Sequence, residues 1–72
     1  MIELYGDNST CIILEKKFKR LHIPYIKITD RAEILKKSEY FNISETPFIV
    51  EGIHSYSLLD AITFLNSSYR GN

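Results

Sequence analysis

Ile2-Glu3-Leu4-Tyr5-Gly6-Asp7-Asn8-Ser9-Thr10-Cys11-Ile12-Ile13-Leu14-Glu15-Lys16-Lys17-Phe18-Lys19-Arg20-Leu21-His22-Ile23-Pro24-Tyr25-Ile26-Lys27-Ile28 is the stretch on which the fold turns. Ile2 to Tyr5 reads as a strand, and Gly6 to Thr10 gathers the small and polar residues of a loop. From Cys11 the apolar residues Cys11, Leu14, Phe18 and Leu21 recur at three- and four-residue spacing. Glu15, Lys16, Lys17, Lys19 and Arg20 fill the opposite side, the pattern of an amphipathic helix. Ile23-Pro24 is expected to end that helix, because proline has no N–H and pushes its predecessor out of helical geometry. Tyr25-Ile26-Lys27-Ile28 then reads as a second strand. Strand, helix and strand in this order specify a parallel crossover.

Working outward, Asp30 with Glu33 three residues on forms an acidic variant of a capping box, opening a short helix with a thin apolar face through about Ser38. Thr46-Pro47 stands directly before the β-favouring Phe48-Ile49-Val50, a place where proline often marks a special backbone geometry. Glu51-Gly52 is a tight connection to a partner strand from Ile53 to Tyr56, with Gly52 able to take positive φ. Ser57 with Asp60 repeats the cap pattern, and the last helix carries Leu58, Ala61, Ile62 and Leu65. The predicted order is β-α-β-α-β-β-α, an α/β domain with a single four-stranded mixed sheet and helices on its faces. Residues 1–66 form the domain and residues 67–72 a C-terminal tail.

A 72-residue chain holds one small core and leaves room only for a shallow surface cleft. Nine basic and nine acidic residues balance, so no global field gathers nucleic acid or an anionic membrane. There is no apolar run near the ~18 residues that span a bilayer and no leader pattern. With a single cysteine, no internal disulfide framework forms, and the expected location is the reducing cytoplasm. The abundance of Ile, Lys, Asn and Tyr suits an AT-rich bacterial or viral genome.

Cys11 is the candidate for chemistry. At a helix N-terminus a thiol faces unpaired N–H groups and the positive end of the helix dipole, which favour the nucleophilic thiolate. Within an apolar helix face, the same side chain packs as a small hydrophobe. Exposure of the sulfur separates these readings. His22 and His54 lack partners at metal-ligand spacing, so no metal is expected, and no cysteine-protease signature surrounds Cys11. Lys16, Lys17, Lys19 and Arg20 make a basic face, either simply solvated or, beside the site, a recogniser of an acidic partner and a promoter of the thiolate. No nucleic-acid partner is expected.

The element order, the cysteine at the first helix, Leu21-His22-Ile23-Pro24-Tyr25, Thr46-Pro47 before an apolar strand, and Gly52 at the hairpin together resemble the glutaredoxin branch of the thioredoxin superfamily, over Ile2 to Leu65. Ser55-Tyr56-Ser57 and Asp30-Arg31 are most similar to the glutaredoxin-like electron donors of ribonucleotide reductase. The resemblance implies a thioredoxin-like fold in which Pro47 is cis and lies beside the active thiol. It also implies a Cys-x-x-Cys motif, of which this chain keeps one cysteine. Counting back from Ile23-Pro24-Tyr25, the motif reads Asn8-Ser9-Thr10-Cys11, with Cys11 at the resolving position. Counting forward from Tyr5, Cys11 falls within a residue of the attacking position.

Glutathione is disfavoured as a cofactor, because Asp7 stands where a basic residue is usual and Ser57-Leu58 replaces the glycine pair that admits the tripeptide. The resemblance thus gives two functions. One is a single-cysteine thiol-disulfide redox protein, an oxidoreductase with a degenerate motif, whose Cys11 attacks a protein disulfide and whose substrate binds at Asn8, Ser9, Thr10, Thr46, Pro47 and Tyr56. The alternative is a redox-inactive binding module that docks on a protein partner, in a viral or bacterial regulator.

Overall fold

The structure, a computed structural model, describes residues 1–68. Its elements are β1 (Ile2–Tyr5), α1 (Cys11–Arg20), β2 (Tyr25–Ile28), α2 (Arg31–Phe41), β3 (Phe48–Glu51), β4 (His54–Ser57) and α3 (Leu58–Ser68). The strands form one mixed sheet in the order β2-β1-β3-β4. The β1/β2 pair is parallel, as the crossover demands, and the other two pairs are antiparallel.

Strand alternation sends successive side chains to opposite faces and so builds two cores. On one face Ile2, Leu4 and Ile49 meet Cys11, Leu14 and Phe18 of α1 and Ala61 and Leu65 of α3. On the other, Tyr5, Phe48 and Val50 meet Ile34 of α2, with Phe41 and Ile43 beside them. Phe18 is fully buried and its ring stacks on Tyr25 at 4.5 Å. Truncating it to alanine would cost about 3–5 kcal/mol.

The helix ends differ from the sequence expectation. Both α1 and α2 close through a left-handed residue that is not glycine, His22 and Asn42, each at φ 57°. The N–H of Ile23 donates to the Phe18 carbonyl at 2.9 Å, and that of Ile43 to the Ser38 carbonyl at 2.8 Å. These are Schellman closures, in which an apolar residue just past the helix folds back onto the core. Helix α1 therefore stops before Pro24 is reached. Helix α2 runs on to Phe41, past the expected Ser38, because the stop signal is Asn42.

The two-residue connection falls at Gly52-Ile53, since Glu51 pairs with His54, and Gly52 takes φ 63°. Helix α3 continues through Ser68, so residues 67 and 68 are helical rather than tail. The remainder of the expected tail, residues 69–72, lies outside the described residues. Among the described residues no helix is long and apolar enough to cross a membrane.

Candidate functional site

One end of the sheet collects the sequence-predicted residues. Tyr5 at the end of β1 stands opposite Ile28 at the end of β2 and Phe48 at the start of β3, and Phe48 stands opposite Ser57 at the end of β4. The loop after β1, the segment entering β3 and the first turns of all three helices therefore lie at this end. Asn8, Cys11 and Thr46, separated in sequence, meet here.

Asn8 ties the two loops together. Its amide Nδ2 donates to the Thr46 carbonyl and to Thr46 Oγ1, both at 3.2 Å, while its Oδ1 accepts a long contact of 3.8 Å from Cys11 Sγ. Backbone turns start α1: the Cys11, Ile12 and Ile13 N–H groups donate to the Asn8, Ser9 and Thr10 carbonyls. Thr10, the residue before the helix, makes no side-chain cap bond. The Thr46-Pro47 bond is cis, Pro47 is fully buried, and Thr46 is exposed. The Thr46 N–H has no hydrogen-bond partner among the described residues.

Cys11 has a relative exposure of 0%. Its sulfur lies against the backbone of Gly6: a methyl group built on Gly6 would sit 2.8 Å from Sγ and 3.2 Å from Cα and Cβ of Pro47. Burial pushes the Cys11 thiol up from its ordinary value, outweighing the Asn8 backbone N–H and the Lys27 charge that favour the thiolate. Of the cations, Lys27 is thus the one that favours the Cys11 thiolate. The basic residues expected beside the site are five to nine residues into α1, about 7–14 Å along the helix toward its other end.

Tyr56 points to the face shared by α1 and α3, where its ring stacks on Phe64 at 4.3 Å. It does not join the Asn8–Thr46 contact. On the α2 side of Thr46, a groove of about 370 Å³ is floored by Ile34, Leu35 and Ile43 and edged by Asp7, Glu45 and Thr46. Arg31 at its rim lies 3.6 Å from the Asp7 carboxylate, an exposed pair that contributes little to stability.

Sequence reasoning missed Gly6 and the groove. A glycine directly after a buried strand was a readable sign of close backbone approach. The groove had no local signal, because its floor and rim come from three separate segments. Among the described residues, no group of three or more His, Cys, Asp or Glu side chains could hold a metal ion. In comparisons with protein-family models, curated proteins and solved structures, no match to the chain was found.

Proposed function

We propose that the chain is a thioredoxin-type domain of the glutaredoxin kind that docks a protein segment at the edge beside Pro47 and does not turn over disulfides. The sheet order β2-β1-β3-β4 and the placement of Pro47 next to the loop that follows β1 support the fold assignment. The observation that carries the functional reading is the sealed thiol: Cys11 is without solvent exposure and its pKa is raised. A nucleophile must present thiolate to an incoming disulfide. At the exposed position three residues earlier stands Asn8, whose side chain holds Thr46 in place. The counting that gives Asn8-Ser9-Thr10-Cys11 is the one this geometry supports.

What the edge offers a partner is backbone. With its carbonyl engaged by Asn8, Thr46 presents an open N–H at the surface, suited to the carbonyl of an extended chain. The carboxylates of Asp7 and Glu45 at the same edge weigh against anionic glutathione.

Reduction of a protein disulfide, that of insulin, with uncharged dithiothreitol as the electron source, tests the reading. The wild-type domain and Cys11→Ala are expected to give the same background rate. A wild-type rate clearly above that of Cys11→Ala would instead establish a one-cysteine exchange protein.

A further inference from the structure

We propose that the groove between α2 and residues 44–46 receives an extended, basic and apolar segment of a partner protein. An apolar side chain lies over Ile34, Leu35 and Ile43, a backbone carbonyl accepts from the Thr46 N–H, and a lysine or arginine faces Glu45. The proposal rests on the docking reading above and adds the chemistry of the partner.

Three observations define the occupant. The first is shape and polarity: the hollow of about 370 Å³ has an aliphatic floor, from which Leu35 projects with 59% of its surface exposed. A side chain that covers Leu35 removes apolar area from water on both partners, which is the driving force for binding. The second is hydrogen bonding: Thr46 offers an N–H without a partner among the described residues, while its carbonyl already accepts from Asn8 at 3.2 Å. A backbone carbonyl of an extended segment is the group that satisfies this donor.

The third is charge. Three charged side chains line the groove: Asp7, Arg31 and Glu45. Arg31 is turned to Asp7, and Glu45 has no ion pair among the described residues. The uncompensated charge is negative, so a cation on the partner gains and an anion is repelled. The lysines and arginine of α1 lie toward the other end of their helix and do not offset it.

Titrating the isotope-labelled domain with three eight-residue probes, observed through backbone amide resonances, tests this. One peptide alternates leucine with lysine, the second leucine with glutamate, the third serine with lysine. The leucine–lysine peptide is expected to shift the amides of Leu35, Ile43 and Thr46 in a saturable way and to bind tighter than the other two. Glu45→Lys should weaken it about two- to fivefold, and Leu35→Asp should abolish saturation. Both positions are exposed, so the variants keep the fold.

Equal or tighter binding of the leucine–glutamate peptide at Thr46 would overturn the charge assignment while leaving the docking edge in place. Equal binding of serine–lysine would overturn the apolar contact. If none of the peptides moved the Thr46 amide, the proposal and the docking function would fall together. Shifts of these amides with protein concentration alone would assign the groove to a second copy of the chain and overturn the proposal as well.

Discussion

A methyl group on Gly6 would lie 2.8 Å from Cys11 Sγ, closer than a carbon and a sulfur can approach without something moving. Neither neighbour yields cheaply, because the sulfur is enclosed and Pro47 is fixed in the chain entering β3. Gly6→Ala is expected to lower stability by about 1–3 kcal/mol, as overpacking does, seen as a lower urea midpoint at unchanged slope. A variant as stable as the wild type would mean that the loop is looser than described. At this scale the sequence singled out Cys11 and Pro47, and the structure places both against Gly6. The sequence did not show that the glycine between them seals the thiol, since exposure depends on what the far loop places on top.

The connections between elements respond to pH and to backbone preference. The Lys27 ammonium donates to the Glu15 carboxylate at 2.8 Å and the Tyr25 hydroxyl donates to it at 2.9 Å, joining α1 to β2. Chiefly through Lys27, these partners hold the Glu15 carboxyl below the usual carboxylate range. A carboxyl with a lower pKa folded than unfolded adds stability above its unfolded value of about 4.3, and loses it as pH falls through the folded value. The urea midpoint of Glu15→Gln should therefore fall less than that of the wild type between pH 7 and pH 3. Parallel declines would show that this carboxylate is not linked to folding. Asn42 closes α2 at φ 57°, a conformation glycine adopts without cost and β-branched residues resist. Asn42→Gly should keep or raise the melting temperature, while Asn42→Val should lower it; the reverse order would contradict the left-handed closure. Apolar periodicity made the strands and α1 legible. The end of α2 was not, because an asparagine in a loop-like run carries no unique meaning until its φ is known.

Across the whole molecule, the topology decides the site. A parallel β1/β2 pair flanked by antiparallel β3 and β4 brings three loops and three helix starts to one end, so residues remote in sequence become neighbours there. The order of elements was readable from the chain, while the nearness of Cys11 and Pro47 was expected only from the resemblance to glutaredoxins. The α2 groove and the inward turn of Tyr56 were not readable, because both depend on how helices lie over the sheet faces. The central claim is that this end holds a sealed thiol behind a docking edge. The rate of Cys11 alkylation by iodoacetamide in the folded domain, followed across pH and increasing urea, tests it most directly. The account predicts labelling far slower than for a free thiol, accelerating with urea because the sulfur reacts only when the structure opens, and a pH midpoint above the free-thiol value of about 8.5. Rapid, urea-independent labelling with a midpoint below that value would contradict it.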